Sequence, residues 1–309
     1  MPNYQGVWSL STQFQNRDGW PVYVPPVIAL FAGGDPYGSN NTIQEVDITT
    51  AGNSTDFGDL ITSTRTVGLG STTRAVWSMY NFNSLEYVTF ATAGNASDFG
   101  DLLRTKIEYP AATSNETRGL FAGGRDSGTD LTDIQYITIA STGNATDYGD
   151  LTVARRILAG CGSPTRSVFG GGSSSVSYNT IDYVAIASTG NASDFGDLVN
   201  TPEVLCSMSS STRGLWAGGS PSTNVIQYVT IASTGNASDF GDLASDINWN
   251  TGVASEVRAL SAGGSPSSGT GNEIEFVTIA TLGNATDFGD LLAATQFAGG
   301  ASSGHGGLQ

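Results

Sequence analysis

The chain has 309 residues, of which 39% are hydrophobic and only 13% are charged, and its formal net charge is −16. A surface this acidic repels phosphate backbones and offers no basic patch to anionic lipids, which argues against nucleic-acid partners. No stretch approaches the roughly 18 apolar residues of a membrane helix, and the first residues lack the pattern of a secretory signal peptide. The sequence therefore predicts a protein that neither binds nucleic acid nor inserts into a membrane.

The first 26 residues contain five aromatic side chains and end in Pro25-Pro26. A disordered leader is usually poor in aromatic residues, so we expect these rings to be buried. They either strap onto the rest of the chain or dock on a partner protein. We predict that residues 1–26 form a docking segment and that residues 27–309 form one domain. The candidate docking residues are Tyr4, Trp8, Phe14 and Trp20.

The phrase Gly-Asn-[Ala/Ser]-[Ser/Thr]-Asp-[Phe/Tyr]-Gly-Asp-Leu occurs six times in the domain, and we call it the Gly-Asn phrase. Successive copies are 42 to 49 residues apart, which is the length of a four-stranded propeller blade. The asparagines of the six copies are Asn53, Asn95, Asn144, Asn191, Asn236 and Asn284.

Each repeat has the same internal order, which is clearest around residues 213–243. An arginine opens a strand that ends in Gly-Gly (213–219), and a polar loop of variable length follows. An alternating strand rich in β-branched and aromatic residues comes next (226–232). The Gly-Asn phrase then turns the chain into a short outer strand, and a further strand (249–255) leads to the next arginine.

A count of these strands predicts how the fold closes. The strand that precedes each Gly-Gly strand also occurs six times, but the last copy, at 293–302, has no Gly-Gly strand after it. The first Gly-Gly strand, at 27–34, has no such strand before it. We therefore predict an all-β, six-bladed β-propeller with four-stranded blades, closed by the C-terminal strand joining the first blade, so that no sheet edge stays open.

The polar residues of the Gly-Asn phrase are expected to satisfy backbone groups in a compact turn, and its second glycine fits a positive φ. Its paired aspartates, such as Asp98 and Asp101, leave calcium as an alternative, although two carboxylates are few for that ion. An ion pair or hydrogen bond with the arginine of each repeat is favoured over calcium. These arginines are Arg74, Arg118, Arg166, Arg213 and Arg258.

Catalytic chemistry has little support in the sequence. His305 is the only histidine and lies in a Gly-rich tail, and no His and Cys set with metal-ligand spacing exists. Cys161 and Cys206 lie in apolar strands, where small buried thiols are more typical than a disulfide. We predict a protein that is not an enzyme and has no cofactor.

The loops after the Gly-Gly strands differ in length and content, whereas the Gly-Asn phrase is nearly constant. Loops on a rigid scaffold are the usual place for recognition, and these two sets of loops lie on opposite faces of a propeller. We predict that the diverse face binds a ligand. The candidate binding residues are Asp35, Tyr37, Arg125, Asp126 and Tyr178.

The order Arg, Gly-Gly, Tyr and Leu resembles the kelch type of propeller repeat, although the Gly-Asn phrase replaces the tryptophan of the kelch outer strand. Residues 27–302 also resemble repeats in structural proteins of tailed bacteriophages from aquatic sources, and residues 4–15 resemble leader segments of phage tail and fibre proteins. The resemblance implies a virion protein made in the host cytoplasm without a signal peptide. It implies that residues 1–26 contact other virion proteins, and that the propeller decorates the capsid or tail or contacts a host surface glycan or receptor.

Two other functions stay open at this stage. A secreted or cell-surface carbohydrate-binding propeller is the main alternative, and an intracellular interaction scaffold is another. A multivalent lectin would repeat the same aromatic residues in every loop, but Tyr37 and Tyr178 have no counterparts in loops 220–225 and 265–273. This difference leaves room for a single composite site.

Overall fold

A computed structural model describes residues 26–35, 40–200, 202–266 and 269–304. Within these ranges the chain forms 27 β-strands and no helix. Accordingly, the described residues include no helix with the length and apolarity to cross a membrane. The docking segment predicted at residues 1–26 lies, except for Pro26, outside the described residues.

The strands are numbered in chain order. The first fourteen are β1 (Ile28–Ala32), β2 (Thr42–Asp47), β3 (Thr55–Asp59), β4 (Thr66–Gly70), β5 (Arg74–Met79), β6 (Ser84–Thr89), β7 (Ser97–Asp101), β8 (Ala111–Ser114), β9 (Arg118–Ala122), β10 (Arg125–Asp126), β11 (Thr129–Asp130), β12 (Asp133–Thr138), β13 (Thr146–Asp150) and β14 (Ala159–Gly162). The others are β15 (Arg166–Gly170), β16 (Thr180–Ala185), β17 (Ser193–Asp197), β18 (Cys206–Ser209), β19 (Arg213–Ala217), β20 (Thr223–Thr230), β21 (Ser238–Asn248), β22 (Thr251–Ala254), β23 (Arg258–Ala262), β24 (Ser265–Pro266), β25 (Glu273–Thr278), β26 (Thr286–Asp290) and β27 (Gly299–Ser302).

The strands form six antiparallel sheets, which are the blades of a six-bladed β-propeller. From the inside outwards, blade 1 is β27-β1-β2-β3, blade 2 is β4-β5-β6-β7 and blade 3 is β8-β9-β12-β13. Blade 4 is β14-β15-β16-β17, blade 5 is β18-β19-β20-β21 and blade 6 is β22-β23-β25-β26. The C-terminal strand β27 pairs with β1, with Ala29 opposite Ser302 and Ala32 opposite Gly299. The predicted fold and its closure are confirmed.

Two blades depart from the predicted four strands. Blade 3 carries an extra two-stranded hairpin, β10-β11, after its Gly-Gly strand. In blade 5 the outer strand β21 is 11 residues long, and its last residues pair with β24 of the next blade, with Ile247 opposite Pro266. Both additions lie in the connections between strands and leave the ring unchanged.

The six inner strands (β4, β8, β14, β18, β22 and β27) contact one another in a closed ring around the axis. Small residues permit this close approach. A Cβ at Gly68 would lie 2.4 Å from the carbonyl oxygen of Gly300, and one at Gly252 would lie 2.2 Å from that of Ser207. The glycines of the inner strands therefore set the distance between blades.

The hydrophobic core is divided into six clusters, and each cluster lies between two neighbouring blades. Between blades 1 and 2, for example, Trp77 is fully buried with Leu30 and Phe57, and its indole N–H donates to the carbonyl of Gly299 at 3.0 Å. No blade buries its apolar face alone, so the fold depends on the complete ring.

The Gly-Asn phrase contacts the preceding blade as well as turning its own chain. Backbone N–H groups of Gly143 and Ala145 donate to the carbonyls of Phe99 and Asp101 on the outer strand of blade 2, at 2.7 and 2.8 Å. The Asn144 side chain accepts the N–H of Asp101 at 3.1 Å. The same asparagine bond joins every pair of blades, including blade 6 to blade 1. The phrase therefore covers the outer sheet edge of its neighbour, which explains why its sequence is constant.

The second glycine of the phrase has the predicted positive φ and also lies against the backbone of the next blade. Gly100 has a φ of +142°, and a Cβ there would lie 2.4 Å from the carbonyl oxygen of Gly143 in the next blade. The position excludes a side chain both by its backbone conformation and by the close approach of that blade.

The ion pair predicted between the repeated arginines and the aspartates of the phrase is wrong for the described residues. Arg213 instead lies over the ring of Tyr228, 4.9 Å from its centroid, and donates to the carbonyl of Ile279 in the next blade at 2.7 Å. Tyr228 in turn meets Phe240 edge-on, with 5.8 Å between centroids. The arrangement recurs in blades 2 to 6 because the arginine begins strand 2 beside the ring of strand 3, away from the exposed outer edge.

A side chain on the third strand of each blade accepts a backbone N–H from the preceding blade, just after its phrase. Gln135, for example, accepts the N–H of Leu103 at 2.7 Å. In blade 4 this residue is the shorter Asp182, which accepts the hydroxyl of Thr152 at 2.5 Å. Asp182 also pairs with Arg155 at 2.9 Å, and neither side chain is exposed to solvent.

Candidate binding site at the mouth of the central channel

One residue precedes each inner strand at the same level around the axis, and we call these six residues the collar. The collar consists of Arg65, Tyr109, Ile157, Val204, Trp249 and Phe297, all of which line a cavity on the axis. The diverse loops lie at the same end of the channel. Asp35, the first residue of one loop, has its N–H bonded to the carbonyl of Gln296, and Arg125 and Glu108 exchange two backbone bonds of 2.9 Å. The collar and the diverse loops therefore form one face, which we call the mouth face.

Five collar residues have a left-handed backbone, although none of them is glycine. Their φ values lie between +53° and +61°, a conformation that is unusual for aromatic and β-branched residues. From Ile157 to Phe297, the N–H of each collar residue donates to the carbonyl of the preceding collar residue. Trp249 donates to Val204 at 3.2 Å and Phe297 to Trp249 at 3.0 Å. These bonds join neighbouring blades and offset the strain of the conformation.

Blade 2 is the exception in the collar. Its second strand, β5, ends at Met79 and is followed by Tyr80, at the two positions where the other blades have Gly-Gly. The N–H of Tyr80 donates to the carbonyl of Arg65 at 2.9 Å. This pairing extends the sheet regularly through Arg65, so Arg65 is absent from the left-handed residues of the collar. The degenerate repeat thus places an arginine and a tyrosine at the mouth.

Four aromatic rings and the guanidinium of Arg65 lie together at the mouth, and we call these five side chains the mouth cluster. Trp249 and Phe297 have ring centroids 3.9 Å apart, and Tyr109 lies 5.9 Å from Trp249 across the collar. Tyr80 lies 4.8 Å from Tyr109. The guanidinium of Arg65 covers the ring of Phe297 at 3.8 Å, a cation–π contact. All five side chains are half-buried, so each keeps some surface towards solvent.

A chain of polar contacts runs through the same cluster. The Nε and Nη2 atoms of Arg65 lie 2.8 and 2.7 Å from one carboxylate oxygen of Asp35, and Nη1 donates to the hydroxyl of Tyr109. Burial and a hydrogen bond with Tyr109 raise the pKa of Tyr80 to about 12. The mouth therefore presents the protonated phenol of Tyr80 at neutral pH, beside a guanidinium whose charge is balanced by a carboxylate.

The cavity below the mouth has a volume of about 140 Å³. Its walls are the six inner strands, and its mouth end is formed by the collar and Tyr80. An apolar cavity of about 150 Å³ in another protein is large enough to hold benzene. The channel therefore has room for one six-membered ring.

The predicted binding residues are only partly brought together. Asp35 belongs to the mouth cluster through its ion pair with Arg65. Arg125 and Asp126 form the hairpin of blade 3, and Tyr178 lies in the loop of blade 4, where its hydroxyl meets that of Ser174 at 3.1 Å. Tyr37 lies outside the described residues. So do the candidate docking residues Tyr4, Trp8, Phe14 and Trp20.

The loop-based prediction missed the residues that form most of the mouth. The signal that identifies them is a column of the repeat. Positions 65, 109, 157, 204 and 249 each stand nine residues before a repeated arginine, at 74, 118, 166, 213 and 258. Large side chains occupy this column in every copy, whereas the inner strands that follow it consist mostly of small residues.

The other chemical groups of the described residues do not form a site. No three His, Cys, Asp or Glu side chains in the described part of the chain are grouped to hold a metal ion. Cys161 and Cys206 are buried and unbridged, as predicted, and burial raises the pKa of Cys206 to about 12. Burial also raises the pKa of Cys161, so neither thiol is a nucleophile at neutral pH. No protein-family model matches this sequence, and no curated protein is significantly similar to it.

Proposed function

We propose that this chain is a non-enzymatic recognition propeller of a bacteriophage virion, which attaches to other virion proteins through residues 1–26 and contacts its target with the mouth face. The observation that carries the recognition function is the mouth cluster. Arg65 and Tyr80 come from the one degenerate repeat, and they join Tyr109, Trp249 and Phe297 at the centre of the diverse loops. A departure from the repeat at a partly exposed aromatic cluster is typical of a binding site.

The distribution of constant and variable residues supports the same function. The Gly-Asn phrase is constant because it covers the outer edge of the neighbouring blade through its backbone and its asparagine. The mouth-face loops differ in length and sequence, although their ends also form backbone bonds between blades, as between Arg125 and Glu108. Recognition residues are usually carried by loops of this kind on a rigid scaffold.

The virion location rests on the resemblance of residues 27–302 to repeats of phage structural proteins and of residues 4–15 to phage leader segments. The five aromatic residues of the leader are consistent with attachment to a partner. The net charge of −16 favours a protein that stays soluble and avoids nucleic acid inside the infected cell.

A secreted or cell-surface carbohydrate-binding propeller is the second candidate. The observation that favours it is the same aromatic mouth, which offers one composite site. Ile157 and Val204 occupy the collar where Tyr109, Trp249 and Phe297 stand in other blades, so the site is not repeated from blade to blade.

Cross-linking mass spectrometry on intact particles and on the particle-free culture fluid tests the location. Lys106 is the only lysine, so a reagent that couples carboxylates is required. We expect cross-links between residues 1–26 and capsid or tail proteins. Recovery of the chain only from the particle-free fluid, with all cross-links internal, would refute the virion function and favour the secreted propeller.

A loop exchange tests the recognition face. The loop of blade 3 (125–133) is replaced by that of blade 5 (220–225), and attachment of the fluorescently labelled protein to host cells is measured. A matched control exchanges the Gly-Asn phrases of the same two blades, which are nearly identical. We expect the loop exchange to weaken attachment and the phrase exchange to leave it intact. Full attachment after exchange of every mouth-face loop would contradict the proposal.

A further inference from the structure

We propose that the channel mouth binds one uncharged pyranose ring, such as the terminal hexose of a glycan. This inference rests on the recognition function proposed above and assigns the chemical class of its ligand. It follows from the size of the cavity, the aromatic surface at its mouth, the polar groups at its rim and the balance of charge there.

The size of the cavity limits the ligand to a single ring. Pockets for ligands of drug size usually have volumes of about 300 Å³ or more. The channel offers about 140 Å³, close to the volume that holds one benzene ring in another protein. A hexose has twice as many non-hydrogen atoms as benzene, so only part of one sugar ring enters the channel and the rest lies at the mouth. An internal stretch of a polysaccharide or a folded peptide is larger still.

The aromatic rings provide the surface that a sugar requires. One face of a pyranose consists of C–H groups with partial positive charge, and these pack on the electron-rich face of an aromatic ring. Tyr109 and Trp249 approach each other across the collar and are both partly exposed. Ile157 and Val204 complete the collar on the other side and give the ring an apolar wall.

The polar groups of the mouth suit hydroxyl groups. A phenol has one donor and two acceptor positions. The bond between Tyr80 and Tyr109 and the bond from Arg65 leave a donor and acceptors of these two phenols uncommitted among the described contacts. Glu108 and Gln296, half-buried next to the collar, add planar polar side chains to the rim. Sugar hydroxyls both donate and accept hydrogen bonds, so they can pair with this mixture of donor and acceptor groups.

The charge balance selects an uncharged ligand. The guanidinium of Arg65 is already paired with Asp35, and it covers the face of Phe297 that a ligand cation would occupy. Glu108 and Glu203 immediately precede collar residues and add negative charge beside the collar, which disfavours an acidic sugar or a phosphate. Among the described side chains of the mouth cluster, the one cation, Arg65, is already paired with Asp35.

Titration of the full-length protein with methyl glycosides tests the ligand class. The probes are the methyl glycosides of glucose, galactose, mannose and N-acetylglucosamine, with methyl glucuronide as the charged match of the glucoside. Binding is followed by saturation-transfer NMR and by the difference in tryptophan fluorescence between the wild type and Trp249→Leu. Trp249 is partly exposed, Trp77 and Trp216 are fully buried, and Trp8 and Trp20 lie outside the described residues. We expect at least one neutral glycoside to bind with a millimolar Kd and the glucuronide to bind about tenfold more weakly.

Two leucine variants localise the site. Trp249→Leu removes the ring from the mouth, and Val257→Leu introduces the same residue at an exposed apolar position in the turn between β22 and β23, at the other end of the inner strand from the collar. We expect Trp249→Leu to weaken glycoside binding about tenfold and Val257→Leu to leave it unchanged. Tyr109→Phe, which deletes one hydroxyl, is expected to weaken it severalfold while the protein stays folded. Thermal unfolding of each variant checks the fold.

Two results would overturn the inference. One is no saturable binding of any neutral glycoside up to about 50 mM. The other is equal binding by Trp249→Leu and Val257→Leu when both variants are folded. Attachment of the labelled wild-type protein to host cells, measured in the same preparation, separates this failure from failure of the proposed function. Attachment without glycoside binding refutes only the ligand class, whereas a lack of attachment refutes the recognition function itself.

Discussion

Arg155 and Asp182 form an ion pair between blades 3 and 4 in which neither side chain has exposed surface. The guanidinium Nη1 lies 2.9 Å from the carboxylate, and Nη2 donates to the carbonyl of Phe169 at 3.2 Å. Burial lowers the pKa of Arg155, and the neighbouring carboxylate opposes that shift. Because each charge depends on the other for compensation, removal of one partner exposes the full desolvation cost of the other.

The magnitude follows from the burial and from the other blades. Asp182→Gln leaves a buried, unpaired guanidinium, and we expect it to lower the free energy of unfolding by about 3–5 kcal/mol. Blade 1 has uncharged residues at both positions. Gln44, in place of Asp182, accepts the N–H of Leu292 at 2.8 Å, and Thr295 occupies the position of Arg155. The double variant Arg155→Thr/Asp182→Gln copies this arrangement and is expected to cost less than about 2 kcal/mol.

Equilibrium unfolding in guanidinium chloride, followed by circular dichroism, measures the wild type, the single variants Arg155→Thr and Asp182→Gln, and the double variant. The expected coupling between the two substitutions is about 3 kcal/mol or more, with the double variant more stable than either single one. Independent effects, in which the double variant loses the sum of the two single losses, would refute the view that the pair acts as a unit.

Three further predictions concern the ring and its buried groups. Gly100→Ala is expected to lose about 1–3 kcal/mol more in chemical unfolding than Gly143→Ala. Both glycines have a positive φ, but only a Cβ at Gly100 meets the next blade, and equal losses would contradict this reason. Cys161 and Cys206 should react with a thiol reagent at pH 8 only in denaturant, because burial raises the pKa of both, and rapid labelling of the native protein would contradict their burial. Truncation after Ala298 removes β27 and leaves β1 as an open edge, so we expect loss of cooperative unfolding and self-association in size-exclusion chromatography, and an unchanged monomer would contradict closure by that strand.

The fold was predictable because the sequence motifs that indicate it recur at regular spacing. Six copies of the Gly-Asn phrase give the number of blades, and the unmatched strand at 293–302 gives the closure. The buried thiols and the positive φ of the phrase glycine were predictable for local reasons, since each depends on residues within its own strand or turn. Such features need no knowledge of how the blades are placed relative to one another.

The contacts between blades were not predictable in the same way. The sequence places Arg213 and the aspartates of its own phrase in one repeat, and a pairing between them is the simplest interpretation. The structure instead gives Arg213 the ring of Tyr228 and a carbonyl of the next blade, 66 residues away in the chain. The aromatic mouth has the same cause, because Tyr109, Trp249 and Phe297 come from three different blades and meet only after closure.

The proposed binding residues lie at the inner end of the blades, where the constraints on side chains differ from those elsewhere in the ring. The contacts that repeat around the ring use the side chains of the asparagine, the arginine and the acceptor on the third strand, so those positions are constrained by stability. In the collar, the backbone bonds that join neighbouring blades, such as the one between Trp249 and Val204, do not require a particular side chain. Its side chains are therefore free to differ, and valine, isoleucine, tyrosine, tryptophan and phenylalanine all occur there in the same left-handed conformation. The collar side chains can therefore change without loss of the asparagine, arginine and third-strand contacts that join the blades.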